Sequence, residues 1–342
     1  MKTLLVTGGA GFIGSNFIIY MLKKYNQYKI INYDKLTYAG NLKNLESIED
    51  NKNYIFIKGD ICDKEIVSNI FSSYDIDYVI NFAAESHVDR SILEPDIFIK
   101  TNIIGTTNLL NIAKNNWEIN DLIKNKDICE EEFKQGKKFL QVSTDEVYGS
   151  LGKTGYFRED TPINPHSPYS ASKASADLIV KAYFDTYKMP INISRCSNNY
   201  GAFQFPEKLI PLIINNAIKK NKLPIYGDGM NIRDWLYVED HCEAIDMILH
   251  KGKVGEVYNI GGNNEKTNIE IVSLILDYLN KNVDNTITND LIQYVEDRKG
   301  HDKRYAIDAS KIKEQLEWNP KIKFEQGIIN TINWYLKGYS FV

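Results

Sequence analysis

The chain has 342 residues, of which 43% are hydrophobic and 25% are charged, and this composition predicts a globular protein with one large and one smaller domain. Its 41 basic and 45 acidic residues give a formal net charge of −4, which excludes a general attraction to nucleic acid or to anionic membranes. The five histidines and the four cysteines, Cys62, Cys129, Cys196 and Cys242, show no metal-binding spacing. We therefore expect reduced thiols, no metal site and a cytoplasmic protein without a signal peptide or membrane span.

Short apolar runs alternate with helical patterns along the first half of the chain. Strands are predicted at 4–6, 29–34, 54–58, 78–82, 139–143 and 191–194, and the first helix at 12–25. Near-continuous apolar strands separated by helices are typical of a parallel sheet covered on both faces. The predicted fold class is therefore α/β, a doubly wound parallel-sheet Rossmann domain with a smaller mixed α/β substrate-binding domain.

The second half of the chain is less regular. A helix is predicted to begin at Pro168, after a surface loop over 150–168, and another covers 268–279. The polar, charged stretch 117–138 is interpreted as an exposed insertion. We predict that residues 1–198, joined again by 234–262, form the Rossmann domain, and that 199–233 and 263–342 form the smaller domain.

A glycine-rich turn lies between the first predicted strand and the first helix. Gly9, Gly11 and Gly14 fit the pattern GxGxxG, and Gly8, Gly11 and Gly14 fit GxxGxxG. Glycine suits this turn because a Cβ would block the approach of backbone N–H groups to a pyrophosphate at the helix N-terminus. Asp34 ends the second strand, where a carboxylate accepts both ribose hydroxyls and repels a 2′-phosphate. The pattern favours NAD over NADP; the alternative is a plain glycine turn and a surface Asp.

Tyr169 and Lys173 form a Tyr-x-x-x-Lys pair on the helix predicted to begin at Pro168. Residues four apart share one face of a helix. A nearby ammonium favours the phenolate, so the tyrosine can act as a base near neutral pH. Alone, the pair is also typical of an exposed helix surface, but together with the glycine turn it favours catalysis.

Several segments resemble one family from end to end. The glycine turn and the Tyr-Lys pair resemble the extended, sugar-nucleotide-modifying branch of the short-chain dehydrogenase/reductase superfamily. Thr144, Asp145 and Glu146 resemble the Thr-Asp-Glu signature of dTDP-glucose 4,6-dehydratases, whereas related epimerases usually carry small hydroxyl residues at the last two positions. Further similar segments are 82–91, 197–201, 205–209, 233–238 and 297–302. Lys299 and Ala202 stand where family members usually have Pro, which puts only local loop rigidity in doubt.

The resemblance implies two sets of contacts. For NAD they are Gly8, Gly11, Phe12, Ile13, Gly14, Asp34, Lys35, Leu36, Thr37, Asp60, Ile61, Phe82, Ala83, Ala84, Glu85, Ser86, Thr101, Tyr169, Lys173 and Asn199. For a sugar-nucleotide substrate they are Ser86, His87, Thr144, Asn198, Glu207, Lys208, Leu209, Pro224, Ile225, Tyr226, Arg233, Asn268, Asp297, Arg298, Lys299, Gly300 and His301. On spacing alone, Asp60 could equally be the N-cap residue of the next helix.

The resemblance also implies a mechanism, the conversion of dTDP-glucose to dTDP-4-keto-6-deoxyglucose and water. Tyr169 takes the proton of the sugar 4-hydroxyl, while tightly bound NAD carries hydride from C4 to C6. Glu146 removes the C5 proton, Asp145 protonates the leaving 6-hydroxyl, and Thr144 hydrogen-bonds the 4-oxygen. Two carboxylates divide such roles when their surroundings separate their pKa values. Without the family match, a solvated acidic pair that caps the next segment fits equally well.

Two alternatives stay open at the level of sequence. An epimerase or decarboxylase uses the same Tyr-Lys-NAD machinery, but neither needs an acid for a C6 leaving group. A regulatory protein that senses NAD could keep the fold without catalysis, which intact Thr144, Tyr169 and Lys173 argue against. The dTDP base rests on the resemblance, and the residues do not name the downstream deoxysugar pathway, such as dTDP-rhamnose formation. The resemblance further implies a homodimer, with its interface on helices within 92–113 and 178–187.

Overall fold

The computed structural model describes residues 1–119 and 133–338. Its strands are β1 (Lys2–Thr7), β2 (Tyr28–Asp34), β3 (Tyr54–Lys58), β4 (Tyr78–Asn81), β5 (Lys138–Thr144), β6 (Ile191–Cys196), β7 (Asn198–Tyr200), β8 (Leu223–Tyr226), β9 (Ile232–Tyr237), β10 (Val257–Ile260), β11 (Glu265–Thr267) and β12 (Ile292–Val295). Seven of these form the central sheet, in the order β10-β6-β5-β4-β1-β2-β3, and every neighbouring pair is parallel.

Some helices cover the two faces of this sheet, and others pack in a smaller region. The helices are α1 (Phe12–Lys24), α2 (Lys64–Ser73), α3 (Val88–Leu93), α4 (Pro95–Phe98), α5 (Thr106–Trp117), α6 (Pro168–Tyr187), α7 (Leu209–Ile218), α8 (Val238–Lys251), α9 (Asn268–Asn282), α10 (Ser310–Leu316) and α11 (Phe324–Leu336). Leu4 and Val6 of β1 pack in the core beneath α1 and α8, whereas Leu5 packs in the core beneath α2, α5 and α6. Alternate strand residues therefore supply the two cores, which explains the continuous apolar runs.

The predicted α/β class is confirmed. All six predicted strands lie in the central sheet, and the first helix ends at Lys24, one residue before its predicted end. The strand β10, which no sequence pattern singled out, joins the edge of this sheet beside β6. It comes from the segment 234–262 that was predicted to return to the larger domain.

A smaller region packs beside the carboxyl ends of the central strands. It contains a mixed sheet, β11-β9-β7, with one antiparallel and one parallel pair, and a parallel pair β12-β8. The helices α7, α9 and α11 share one core cluster around these strands. The domain boundaries proposed from the sequence stay a prediction.

Two sequence interpretations need qualification. In the stretch 117–138, residues 120–132 lie outside the described residues. Of the others, 134–136 are exposed, but Trp117, Phe133 and Lys138 are buried. Trp117 is 1% exposed, and its indole N–H donates to the carbonyl of Ile76. The loop 150–168 also contains Phe157, which is buried and pairs with Ile307. No helix in the described part of the chain is long and apolar enough to cross a bilayer.

Candidate active site

Two adjoining cavities open at the carboxyl ends of the parallel strands. In doubly wound sheets ligands bind where the strand order reverses, and here the order reverses at β1 and β4. The strand-end cavity is lined by the glycine turn that follows β1 and by residues at the ends of β2, β4 and β5. The loop cavity is lined by residues 86–88 and by loops and helix starts of the second half. The residues that line both are Ser86, Glu146, Asn198, Asn199, Gln204, Glu207 and Lys208. Ligands in the two cavities would therefore meet there.

The glycine turn fits closely under the strand-end cavity. A Cβ on Gly14 would lie 2.4 Å from the carbonyl oxygen of Gly8 and 2.8 Å from the Cα of Gly9. Gly8 has a φ of +69°, and its Cβ would lie 2.6 Å from the backbone nitrogen of Ala83. Helix α1 begins at the next turn, and no side chain caps its N-terminus, so its first N–H groups can bind an anion.

Asp34 and Asp60 lie at the ends of β2 and β3 and line the strand-end cavity. Asp34 accepts hydrogen bonds from the backbone nitrogens of Ala10 at 2.9 Å and Leu36 at 2.7 Å, and burial raises its pKa. Asp60 pairs with Lys35 at 2.9 Å. The residue that caps helix α2 is Asp63, so Asp60 does not open that helix.

Helix α6 carries Tyr169 and Lys173 into the strand-end cavity. It begins at Pro168 with a capping box between Ser167 and Ser170, which fixes the first turn. Tyr169 is 9% exposed and Lys173 is 4% exposed. The ammonium of Lys173 donates to the carbonyl of Val142 in β5 at 2.7 Å. The pair is therefore a buried part of the cavity wall, not an exposed helix surface.

The electrostatics of this pair differ from the prediction. Burial and the neighbouring Glu146, Cys196 and Asp145 raise the pKa of Tyr169 well above its usual range. Burial lowers the pKa of Lys173, against the opposing charge of Asp177. The net shift of the pKa of Tyr169 is therefore upward, because of burial and nearby acidic groups, and the ammonium of Lys173 donates its hydrogen bond to Val142. That Lys173 lowers the pKa of Tyr169 stays a prediction.

Thr144, Asp145 and Glu146 follow β5 directly and enter a short 3-10 turn. Asp145 is 1% exposed; its Oδ1 accepts from the Thr144 hydroxyl at 3.2 Å, and its Oδ2 has no hydrogen-bond partner among the described residues. Burial, Glu146 and Asp234 raise the pKa of Asp145 well above its usual range. Burial also raises the pKa of Glu146, but Arg233 and Lys208 oppose that rise. The pair is not a solvated acidic cap, and its two environments favour a protonated Asp145 beside a more readily ionised Glu146.

The loop cavity is rich in charged and polar side chains that pair with one another. Arg298 lies 3.3 Å from Asp89 and packs its guanidinium over the ring of Tyr226 at 4.5 Å. His301 and Asp297 are 2.6 Å apart. Further contacts join Lys208 to the carbonyl of Ser86 at 2.9 Å and Arg233 to the carbonyl of Asp302 at 2.9 Å. Cationic groups with fixed orientations suit a ligand with phosphate groups.

The predicted residues fall largely where the sequence placed them. Every predicted cofactor residue lines the strand-end cavity except Leu36, which contributes a backbone N–H to Asp34. Every predicted substrate residue lines the loop cavity except Thr144, which lines the strand-end cavity, and Asp297 and Lys299, which line neither. Further lining residues that were not assigned as contacts are Val88, Ser167, Gln204, Leu212, Trp235, Asp302 and Tyr305 in the loop cavity, and Tyr33, Ala39, Gly40, Gly59, Val142, Ser143, Cys196, Ser197, Gln204 and Phe205 in the strand-end cavity. Of these, Val88, Ser197, Phe205, Trp235 and Asp302 lie in segments that resemble the family. Among residues 1–119 and 133–338, no group of three or more His, Cys, Asp or Glu side chains is placed to hold a metal ion.

Comparison with known proteins gives consistent results over the whole chain. The family model described as GDP-mannose 4,6 dehydratase matches residues 5–331. A dTDP-glucose 4,6-dehydratase from Xanthomonas campestris pv. campestris is 51% identical over 345 residues, covering 100% of this chain and 95% of that protein. A crystal structure of dTDP-glucose 4,6-dehydratase from Bacillus anthracis in complex with NAD has a TM-score of 0.85 and 52% identity, covering 100% of this chain and 98% of that one. The corresponding enzyme from Streptomyces venezuelae, solved with NAD bound, has a TM-score of 0.89 and 41% identity, covering 98% of both chains.

Proposed function

This chain belongs to the dTDP-glucose 4,6-dehydratase family, and we propose that it converts dTDP-glucose to dTDP-4-keto-6-deoxyglucose and water with NAD as its tightly bound cofactor. The observation that carries this proposal is the carboxylate pair beside Tyr169. Asp145 is buried, has a raised pKa and keeps one oxygen without a partner among the described residues. A protonated carboxyl of this kind is what a poor C6 leaving group requires.

The strand-end cavity offers the space, the hydrogen-bond donors and the acceptors that NAD requires. The space beside Gly14 and Gly8 exists only because neither residue has a Cβ, and the uncapped N-terminus of α1 adds N–H donors for a pyrophosphate. Asp34 at the end of β2 supplies acceptor oxygens for the adenosine ribose. When bound, NAD supplies the oxidising equivalent that takes hydride from C4 of the sugar and returns it at C6.

Asp34 also predicts the choice between the two dinucleotides. Its carboxylate repels a 2′-phosphate, so cofactor-stripped protein should bind NAD more tightly than NADP, by about 10-fold or more. Titration with each dinucleotide measures the difference, which Asp34→Asn should reduce. Equal affinity of the wild-type chain for both would contradict this assignment.

Tyr169 and Thr144 act on the 4-hydroxyl. The phenol oxygen of Tyr169 takes the proton of that hydroxyl, and the Thr144 hydroxyl orients the 4-oxygen. Only the deprotonated form of Tyr169 can take this proton, and the raised pKa of Tyr169 makes that form scarce near neutral pH. The first step should therefore accelerate as pH rises. Lys173 contributes a buried positive charge that is fixed by the carbonyl of Val142.

Asp145 and Glu146 carry out the elimination. A ketone at C4 makes the C5 proton acidic, and Glu146, whose pKa is held down by Arg233 and Lys208 relative to that of its neighbour, removes it. Asp145 donates its proton to the 6-oxygen as the carbon–oxygen bond breaks, and water leaves. Glu146 then returns its proton to C5 as C6 is reduced. The cycle closes when Tyr169 releases the proton taken from the 4-hydroxyl and Asp145 takes up a proton, so that protons and electrons balance.

The loop cavity holds the dTDP part of the substrate in this proposal. Arg233, Lys208, Arg298 and His301 bring positive or hydrogen-bond-donating groups to a diphosphate, while Pro224, Ile225 and Tyr226 offer flat apolar surfaces to a base. The residues that line both cavities, among them Glu146 and Asn199, place the sugar between nucleotide and cofactor.

The direct test is the product formed from dTDP-glucose. Incubation followed by nuclear magnetic resonance should show a 4-keto-6-deoxy sugar with dTDP attached. Formation of dTDP-galactose would instead indicate the epimerase alternative, and no turnover of any nucleotide sugar in a panel would favour the regulatory alternative. A panel with UDP and CDP sugars tests the base preference, for which we predict dTDP.

We propose that the protein acts as a homodimer in the cytoplasm. Apolar side chains are exposed on α3, on the π-helical segment Ile99–Gly105 between α4 and α5, and on α6. They include Leu93 at 80%, Ile104 at 53% and Leu178 at 58%. Exposed apolar side chains on neighbouring helices suit a partner surface. Cys62, Cys196 and Cys242 are unpaired, which suits a reducing compartment. Light scattering measures the assembly, and Leu178→Glu should favour the monomer.

A further inference from the structure

A buried network behind the two cavities connects the two catalytic segments. Arg195 lies in β6, directly opposite Ser143 in the parallel register with β5. It is only 5% exposed, and its Nε donates to Asp177 at 2.9 Å. Asp177 lies on α6, four residues after Lys173 and eight after Tyr169, so all three share one face of that helix.

The same guanidinium also reaches the turn that carries the carboxylates. Nη1 of Arg195 donates to the hydroxyl of Tyr148 at 2.9 Å, and the guanidinium packs over the Tyr148 ring at 4.8 Å. Tyr148 ends the 3-10 turn that begins at Asp145. Its hydroxyl in turn donates to Asn259 of β10 at 2.8 Å. Tyr148 and Asn259 are 2% and 0% exposed, so the network is closed to solvent.

We propose that Arg195 and Tyr148 are positioning residues that hold the carboxylate pair Asp145–Glu146 at a fixed place relative to Tyr169 and Lys173. The inference rests on the proposed function, in which these two groups act in succession on one sugar. Arg195 holds α6 through Asp177 and holds the carboxylate turn through Tyr148.

The network acts through other residues and does not contact the reacting groups. Arg195, Tyr148, Asp177 and Asn259 line neither cavity. Burial raises the pKa of Tyr148 to about 12, so the phenol stays protonated and can donate to Asn259 while it accepts from Arg195. A buried charge pair with defined hydrogen bonds is suited to fixing geometry, because any displacement leaves polar groups unsatisfied.

Substitution of Tyr148 separates the carboxylate turn from the rest of the network. Tyr148→Phe removes the hydroxyl between Arg195 and the carboxylate turn but leaves the Arg195–Asp177 pair intact. The turn should then move relative to α6, and elimination should slow while oxidation at C4 continues. We expect product formation to fall about 10- to 100-fold, the usual cost of misplacing a catalytic group, with reduced nicotinamide building up on the enzyme.

Tyr258→Phe is the matched control. Tyr258 is also a fully buried tyrosine, its hydroxyl accepts from the backbone nitrogen of Lys253 at 3.0 Å and donates to Gln315 at 3.1 Å, and it lines neither cavity. Both variants lose a buried hydroxyl with two partners. Only Tyr148→Phe should change the ratio between reduced nicotinamide and product, measured by near-ultraviolet absorbance and product analysis after mixing with dTDP-glucose.

The outcomes separate this inference from the proposed function. If wild-type protein makes the 4-keto-6-deoxy product and Tyr148→Phe shows the same ratio as Tyr258→Phe, the positioning role is overturned while the function stands. If the wild-type chain makes no such product, both are overturned. Arg195→Lys keeps a charge for Asp177 but lacks the fork that reaches Tyr148; if it folds, it should reproduce the shift seen in Tyr148→Phe, and a wild-type ratio would count against the proposal.

Discussion

The strand-end cavity and the loop cavity are built in different ways. The strand-end cavity is shaped mainly by backbone: two glycines without Cβ atoms, an uncapped helix start and the ends of parallel strands. The loop cavity is shaped by charged side chains from separate segments, such as Arg233 and Arg298, and Arg298 is held by an ion pair with Asp89 outside the cavity lining. The shape of the strand-end cavity is set by the backbone of the sheet, whereas the shape of the loop cavity depends on contacts between loops.

This difference predicts different sensitivities. A backbone-built cavity tolerates few changes, because its walls cannot rotate away from an added atom. A cavity built from paired side chains can exchange partners when a ligand arrives, so single substitutions there should cost less. Some residues line both cavities, Glu146 and Lys208 among them. They lie where the cavity shaped by backbone adjoins the cavity shaped by side chains.

The largest effect is expected from a methyl group in the glycine turn. In Gly14→Ala the new Cβ would lie 2.4 Å from the carbonyl oxygen of Gly8, and backbone atoms there cannot move aside without shifting α1. Overpacking of this kind costs up to about 3 kcal/mol, so NAD affinity should fall about 100-fold. Fluorescence titration of cofactor-stripped protein measures it. In Gly152→Ala, where a Cβ has nothing within 4 Å, affinity should be unchanged; equal losses in both variants would contradict the comparison.

A smaller effect is expected in the loop cavity. Arg298→Gln removes a charge that already pairs with Asp89, so binding a diphosphate exchanges one partner for another and the net loss is modest. We expect KM for dTDP-glucose to rise about 10-fold with little change in kcat, on the scale of one charged hydrogen bond. Arg158→Gln is the control, because Arg158 is exposed, pairs with Asp308 and lines neither cavity. A fall in kcat without a change in KM would show that Arg298 does not serve binding.

The smallest effect concerns the stability contribution of Asp145, which lines the strand-end cavity. The pKa of Asp145 is raised in the folded protein above its unfolded value of about 4. Its carboxyl therefore favours folding at low pH and loses that contribution as pH rises above about 4 towards the folded pKa. Asp145→Asn cannot ionise, so its Tm should rise relative to wild type across this range, by about 2 °C. Calorimetry at several pH values measures the difference, for which the exposed Asp50→Asn is the control; a constant difference at all pH values would contradict the assignment.

The sequence predicted the strand-end cavity well because its determinants are local. The glycine turn, Asp34 and the Tyr169–Lys173 pair each occupy a few neighbouring positions, and the parallel sheet brings strand ends together without further information. The position of the Thr-Asp-Glu segment was predicted in the same way, because it lies at the end of β5. Gln204 was missed because it approaches this cavity from a loop of the smaller region and belongs to none of the segments that resemble the family.

The loop cavity and the electrostatics were predicted less completely. Tyr305 and Asp302 line the loop cavity and share a hydrogen bond of 2.6 Å, but Tyr305 carries no motif and gains its place only through tertiary packing. The pKa of Tyr169 was misjudged because spacing shows that Lys173 is near, while burial and the carboxylates after β5 decide the direction. Arg195 and Asp177 gave a weak signal, since Asp177 continues the helical spacing of Tyr169 and Lys173.

The central claim is that Tyr169 serves oxidation and Asp145 serves elimination, and one rapid-mixing measurement tests it directly. After Asp145→Asn protein is mixed with dTDP-glucose, oxidation at C4 should proceed and water loss should stall, so the near-ultraviolet absorbance of reduced nicotinamide should rise and persist. Tyr169→Phe should show no such absorbance and should lose about 10²-fold or more in turnover. If Asp145→Asn instead forms the 4-keto-6-deoxy product at the wild-type rate without accumulated absorbance, Asp145 is not the acid and the account of the site is contradicted.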